Sequence, residues 1–374
     1  MSRPPQDAVD LVIVGAGVVG CAIAARVAGP TRRVLLLDRE VGEGRGLTSR
    51  NSGVIHSGIH YPPGSHKAVL CVRGQELLYR WSEDRDVPTS RLGKIVVAHD
   101  DEQAEQLESI LERGRAAGAR DLRLLTSREV RALEPSLPPA RAALLAPWSG
   151  IVDAHALAHS LALACQERGG DVAFRAEVLG IHKDSDYRVE TTRGEIRAER
   201  VVNAAGLEAD RIGEMCGLTG HRHHLCRGDY FRVGGDHPWR HLVYPVPVPG
   251  RAGLGIHLTL ELDGSARLGP DAEWVEDAQD LGPREHKLEA FLAAARKLLG
   301  PIDPSRCRWD GCGIRPRLGG KGTGAHDFVF AEGSPGSLHL LGIESPGLTS
   351  ALAIAEVVET WVRSGSLPSG VRAG

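Results

Sequence analysis

Residues 10–38 read DLVIVGAGVVGCAIAARVAGPTRRVLLLD, and this stretch decides the fold. The apolar run at 10–14 has the length and composition of a buried strand. Gly15-Ala16-Gly17-Val18-Val19-Gly20 follows at once, a helical stretch runs from about 18 to 28, and a second strand at 33–37 ends on Asp38. Strand, GxGxxG, helix, strand and acid, with the acid about 20 residues past the glycines, is the order of a dinucleotide-binding βαβ unit. Each part has a physical task. Gly15 permits the tight turn, Gly17 lets a pyrophosphate approach bare backbone, and Gly20 lets helix and strand pack closely. Val18 and Val19 open the helix, where free N–H groups and the positive dipole end favour phosphate. Asp38 accepts from ribose hydroxyls. The motif alone leaves NAD and FAD both open. Arg39 admits two readings, a partner for a 2′-phosphate or a solvated surface charge.

The almost continuously apolar run at 11–29 also has the length at which a membrane span or signal peptide enters consideration. Four glycines, Arg26 and the lack of a basic region immediately before it favour strand, turn and helix instead.

The whole chain fits that reading. Its 374 residues suggest two domains of about 100–200 residues each. Apolar residues at 42% and charged residues at 25% describe a soluble globular protein. A net charge of -3 gives no basic face for nucleic acid. Seven cysteines without a CxxC pair argue against a disulfide framework or a zinc site, and suit thiols in a reducing cytoplasm. His221, His223 and His224 cluster near Cys226, but no matching ligand set accompanies them, so no metal is expected.

The next stretch runs Thr48-Ser49-Arg50-Asn51-Ser52-Gly53-Val54-Ile55-His56-Ser57-Gly58-Ile59-His60-Tyr61. Its small and polar residues lack the periodicity of a core element. Here the chain resembles the L-2-hydroxyglutarate dehydrogenase/oxidase family of the FAD-dependent D-amino-acid-oxidase superfamily. The likeness continues through LGKIVVA (92–98), SGIVDAHALA (149–158), VVNAAGLEADRI (201–212), RGDYF (227–231), YPVPVPGRAGLGIHLTLELDG (244–264), LGPDAEWV (268–275), GIRPRL (313–318) and GIESPGLTSALAIAE (342–356). A looser likeness joins IHSGIHY to FAD-dependent glycerol-3-phosphate dehydrogenases. The chain departs from the family in having His60 where Tyr is usual. It also lacks the extra sequence that larger members carry before GIRP.

The resemblance implies an α/β fold: a Rossmann-type FAD-binding domain with a second, antiparallel-sheet substrate domain. The FAD domain is expected from 1–90, 150–220 and 308–374, and the substrate domain from 91–149 and 221–307. A helix is expected around 101–116, a strand at 196–206, sheet-edge or loop structure at 234–249, and a final helix at 346–361 capped by Thr349 or Ser350. FAD contacts are expected from the glycine turn, Asp38, Arg39, Thr48, Ser49, Arg50, Asn51, Ser52 and His56. Further contacts are expected from Val178, Ala204, Ala205, Gly206, Gly313, Arg315, Gly347, Leu348, Thr349 and Ser350. The first amides of the last helix would face negative charge on reduced flavin.

Oxidation of a 2-hydroxy acid needs a carboxylate clamp, a base for the hydroxyl proton, and a site closed to water. Arg315 is the clamp, because a guanidinium holds a carboxylate through two parallel hydrogen bonds. His56 and His257 are the base candidates, since imidazole titrates near neutrality. A histidine near 56 can bond covalently to flavin in the wider superfamily. His60, Tyr61 and Tyr244 are candidate substrate contacts, and Lys67 and Arg73 are candidates for a distal carboxylate or plain surface charges. The expected partner is a small carboxylate, oxidised from L-2-hydroxyglutarate to 2-oxoglutarate. Oxygen, a quinone or a carrier protein would serve as acceptor, in the cytoplasm or peripheral to the inner membrane. Another hydroxy acid, glycerol 3-phosphate or an amino acid stays open as substrate. So do a non-catalytic flavin redox sensor and a colourless NAD-linked dehydrogenase.

Overall fold

The structure is a computed structural model that describes residues 8–248, 253–323 and 326–371. The apolar run at its start forms the strand Ala8–Val14. Gly15 then takes φ 104° and turns the chain into the helix Val18–Val27. The strand Val34–Leu37 returns parallel to the first. These strands are continuously apolar rather than alternating because both faces of the sheet are covered. Leu11 and Ile13 pack into one core with the helix Gly347–Ser364, while Val12 and Val14 pack into another with Tyr187 and Ile212.

The first sheet has eight strands. Along its main path lie Val178–Lys183, Tyr187–Thr191, Gly194–Asn203, Ala8–Val14, Val34–Leu37 and Asp171–Ala173. Ser337–Leu341 runs parallel beside Gly194–Asn203, and Val329–Glu332 pairs with it. The expected strand at 196–206 is therefore Gly194–Asn203, central and next to the first strand.

The second sheet has nine strands and is antiparallel except where Leu242–Pro245 runs parallel to Lys94–Ala98. The helix Leu288–Leu299 contributes Phe291 and Leu298 to the core on one face. The helix Asp101–Ala116 contributes Leu107 and Ile110 to the core on the other. A small sheet of Val54–Ile55, Gly150–Val152 and Thr89–Ser90 joins the halves.

Three expectations change. The segment at 234–249 is not sheet edge or loop throughout. Leu242–Pro245 is an interior strand whose first three residues are buried, and the prolines stand at or beyond its ends. Pro249, with residues 250–252, lies outside the described residues. The region from 308 does not belong wholly with the first sheet. Its opening strand, Cys307–Arg317, pairs antiparallel with His224–Val233, Gly313 opposite Gly228, and so carries Arg315 into the second sheet. The last helix begins at Gly347 behind Pro346, with no side-chain cap, so Thr349 and Ser350 lie inside its first turn.

No helix among the described residues is long and apolar enough to cross a membrane. The seven cysteines are free and buried.

Candidate active site at the seam of the two sheets

One cavity of about 990 Å³ runs along the seam, lined from both sheets. That volume lies at the upper end of what cofactor sites occupy. One end is bounded by Gly15, Gly17, Asp38, Val178 and Ala205, the other by His60, His257, Arg315 and Ser345.

The first end is shaped for a dinucleotide. A Cβ at position 20 would stand 1.8 Å from the Gly15 carbonyl oxygen, so helix and turn meet only as glycines. Position 17 lacks that crowding, its nearest neighbour being Thr48 Oγ1 at 3.3 Å, which leaves the turn open toward the cavity. The Asp38 carboxylate accepts from the Ala16 amide at 2.6 Å and the Glu40 amide at 2.8 Å. Each oxygen keeps a second lone pair. Thr48 accepts from the Val18 amide at 3.0 Å, which fixes the crossing segment on the helix start, while Val19 lines the cavity. Asn51 closes its own turn by donating to the Thr48 carbonyl and accepting from the Gly53 amide, both at 2.6 Å. Arg50, Asn51, Ser52, Ala204, Gly206, Gly347 and Leu348 all line the cavity. Arg39 lines it too, and its guanidinium pairs at the surface with Glu40 and Glu208. This arrangement of glycine turn, acid and helix start fits FAD.

Gly313 marks how tightly the two halves meet. A Cβ there would lie 2.3 Å from the Arg50 carbonyl oxygen. Two residues on, Arg315 lines the cavity; its guanidinium donates to the Asp271 carbonyl at 3.1 Å and touches Cys226 Sγ at 3.6 Å. No carboxylate among the described residues pairs with it. Asp271 is itself held, accepting from the Asp229 amide at 2.7 Å and from Lys287 at 2.7 Å. The Lys287 ammonium thus sits among Asp229, Asp271 and Glu273, at the centre of the carboxylates that would otherwise suit a cation.

Beyond Arg315 stands a second charged group. Lys67 meets Glu344 at 2.8 Å and Arg317 meets the same carboxylate oxygen at 3.4 Å, and all three residues line the cavity. Burial pushes the Glu344 carboxyl up, but Lys67 and Arg317 outweigh it and hold the carboxyl below its ordinary range. Arg315 lowers Glu344 as well, so three cations bear on that carboxylate, and Asp327, a second anion in the wall, accepts from the His66 and Lys67 amides.

The histidines divide. His257 lines the cavity from the loop just before the short strand Leu258–Leu260. Its Nδ1 lies 2.7 Å from the Gly255 carbonyl, so Nδ1 carries the proton and Nε2 is the acceptor. Burial first, opposed only by that carbonyl, takes its pKa down to about 3. His60 also lines the cavity, with Nε2 buried and without a partner among the described residues. Burial, then Lys94 and Arg113, push it well down.

Several expected contacts stand behind the wall rather than in it. His56 does not line the cavity; its Nε2 lies 3.2 Å from Ser345 Oγ, which does. Tyr244 is 1% exposed and stacks on His257 with ring centroids 3.8 Å apart, so it supports that ring and does not meet a substrate. Ser49 is exposed and donates to the Arg45 and Gly46 carbonyls of its own turn. Thr349 and Ser350 are fully buried. Thr349 Oγ1 accepts from the His56 amide at 3.0 Å and donates to the Val54 carbonyl at 3.2 Å, latching the segment against the helix. Arg73 lies on the surface, paired with Glu356 and Glu76. Tyr61 lines the cavity, its hydroxyl 3.5 Å from Ser345 Oγ.

Sequence reasoning assigned nothing to Lys94, Arg317, Glu344 or Ser345. A lysine opening an otherwise apolar strand, KIVVA, was the one signal available for Lys94.

Comparison with known proteins gives a consistent set. A family model described as FAD dependent oxidoreductase (DAO) matches residues 10–361. The mitochondrial L-2-hydroxyglutarate dehydrogenase of Arabidopsis thaliana is 34% identical over 94% of this chain and 83% of its own length. The mitochondrial L-2-hydroxyglutarate dehydrogenase of Homo sapiens is 33% identical over 93% and 87%. Among solved structures, the dithionite-reduced L-alpha-glycerophosphate oxidase of Mycoplasma pneumoniae with FAD bound superposes with a TM-score of 0.88 at 25% identity, over 99% of both chains.

Proposed function

Given that the chain belongs to the family of FAD-dependent oxidoreductases described by that model, we propose that it oxidises L-2-hydroxyglutarate to 2-oxoglutarate. The observation that carries this reading is Arg315, a guanidinium in the cavity wall with no carboxylate partner among the described residues. A planar carboxylate meets two of its N–H donors at once. The remaining carboxylate of a five-carbon diacid is matched by the excess of Lys67 and Arg317 over Glu344. The relatives named L-2-hydroxyglutarate dehydrogenase support the same substrate.

FAD, when bound, supplies the two-electron oxidant. The chain's residues do the rest. Arg315 fixes the plane of the substrate's first carboxylate. His257 offers a neutral Nε2 toward the hydroxyl, and Ser345 connects the hydroxyl to His56 Nε2. Both imidazoles are held neutral by their surroundings, so each can accept a hydrogen bond on its unprotonated nitrogen.

The test is anaerobic mixing of the yellow protein with L-2-hydroxyglutarate. Bleaching of the flavin spectrum is expected, and an unchanged spectrum would reject this substrate. A phosphate ester meets the same cations, and the likeness to a glycerophosphate oxidase favours glycerol 3-phosphate as the second reading. A parallel sample with that compound separates the two. Seven buried thiols suit a reducing compartment and support a cytoplasmic location.

A further inference from the structure

Lys94 is a buried cation-forming group that the site as described leaves without a task. It opens the strand Lys94–Ala98, all five residues of which are buried, and is itself 1% exposed. Burying an ammonium without a paired charge is costly, and no carboxylate among the described residues partners it. Its Nζ lies 3.2 Å from His56 Nδ1 and 4.1 Å from the centre of the Tyr244 ring. On the other side of the same imidazole, His56 Nε2 lies 3.2 Å from Ser345 Oγ in the cavity wall. Four atoms therefore stand in hydrogen-bonding sequence from cavity to core: Ser345 Oγ, His56 Nε2, His56 Nδ1 and Lys94 Nζ. An imidazole can accept on one nitrogen while giving up the proton of the other. The chain is held in place, since the His56 amide donates to Thr349 Oγ1 and its carbonyl accepts from Gln75 Nε2 at 2.8 Å.

We propose that Lys94 Nζ stores the proton that leaves the substrate hydroxyl, receiving it from His56 Nδ1. This rests on the reading of the site as a hydroxy-acid oxidase or dehydrogenase. The step balances. The substrate O–H breaks and its proton goes to Ser345 Oγ, whose own proton passes to His56 Nε2. The Nδ1 proton passes to Lys94, which becomes an ammonium, and His56 ends neutral in its other tautomer. The C2 hydrogen leaves with its electron pair to the oxidant, FAD, and the carbon–oxygen bond becomes a carbonyl.

The surroundings suit both states of Lys94. The groups facing it are His56, His60, His257, Cys71 and the Tyr244 ring. Burial lowers the amine to about 7, with only the Cys71 thiol opposing. That thiol is pushed up to about 12 and stays neutral. The three imidazoles are all pushed down, so the amine is the strongest base of the group. Once charged, the ammonium rests on the face of Tyr244, a cation–π contact.

The test uses the full chain with FAD bound, mixed anaerobically with L-2-hydroxyglutarate across the neutral pH range. Flavin bleaching by the unaltered protein is expected to speed up as pH rises through about 7. Lys94→Met, close in volume, is expected to lose that limb and slow by about 100-fold, the scale of general-base assistance. In Lys94→Ala, small primary amines such as ethylamine are expected to restore rate in proportion to free base. A lysine that only braced His56 would leave the limb in place and give no such rescue, and that result overturns the proposal. A second readout needs no substrate. With the folded pKa below the unfolded 10.5, protonation of Lys94 penalises the folded state fully below about 7, and the penalty fades as pH rises to 10.5. The melting temperature of Lys94→Met should therefore exceed that of the unaltered chain most at low pH, with a gap that closes on the alkaline side. A gap independent of pH also overturns the proposal. If L-2-hydroxyglutarate bleaches nothing, the substrate reading fails. The same limb is then sought with glycerol 3-phosphate or whichever hydroxy compound does bleach the flavin, and a flat profile there rejects the store.

Discussion

Arg315 has five N–H donors, and its two partners are a backbone carbonyl and a thiol. Its neighbours hold it in place without neutralising it. Replacing it with lysine keeps a charge but removes the fork, so the loss measures geometry rather than Coulomb attraction. Hydrogen bonds to charged groups contribute about 1.5–3 kcal/mol. Arg315→Lys is therefore expected to lower kcat/KM by about 10- to 100-fold while the protein still purifies yellow. Arg317 has a different task. It shares Glu344 with Lys67, and its loss leaves the Lys67–Glu344 pair at 2.8 Å intact. Arg317→Met should weaken a dicarboxylate about tenfold and leave a monocarboxylate 2-hydroxy acid nearly unaffected. Comparing kcat/KM for L-2-hydroxyglutarate and L-lactate checks this; equal losses on both would remove Arg317 from distal recognition.

At the scale of elements, the strand Cys307–Arg317 does most to build the site. It belongs to the second sheet, yet Gly313 presses on the Arg50 carbonyl of the first half. An added methyl 2.3 Å from that oxygen must push the strand away from the Leu47–Arg50 turn. Gly313→Ala is expected to lose much of its FAD on gel filtration and to reduce turnover even when FAD is resupplied. Retained colour with normal kcat/KM would show that the seam yields easily. The sequence made the first βαβ unit legible because its glycines and Asp38 have fixed spacing, and each is required by local geometry. It did not reveal that Gly313 and Ile314 pair with Gly228 and Arg227, because strand pairing across about 85 residues leaves no local trace. The same limit explains the site residues. Arg315 could be picked out by its chemistry and its motif. Whether His56 or Tyr244 touches the cavity depends on which side of a packed wall each ring falls, and that is a tertiary fact. Ser345 and Lys94 acquire meaning only once His56 lies between them.

At the scale of the molecule, one cavity borders both sheets, so a ligand that fills it ties the two together. Its glycine-turn end is made by the first sheet and its turns, while its other end takes Arg315 and His257 from the second sheet and its loops. The net charge of -3 on the chain does not describe this interior, where Arg315, Arg317 and Lys67 face Glu344. Binding to the folded state alone stabilises it by about 2.7 kcal/mol when free ligand is 100 times Kd, and about 4.1 kcal/mol at 1,000 times. Removing FAD should therefore lower the melting temperature, and adding it back should raise the melting temperature steadily with the logarithm of free FAD. ADP has the dinucleotide's adenosine and phosphates but no isoalloxazine to reach the second sheet. At equal multiples of their own dissociation constants the two ligands stabilise equally by mass action. At equal concentrations, ADP should recover only part of the shift, by the free energy that the second sheet contributes to holding FAD. Calorimetric scans of apoprotein with FAD, with ADP and with neither measure that contribution directly. The difference between FAD and ADP should shrink in Gly313→Ala, where the seam is forced open, and remain in Arg315→Lys, where it is not. If ADP matched FAD in the unaltered chain, the first sheet alone would hold the cofactor, and the seam would serve the substrate only.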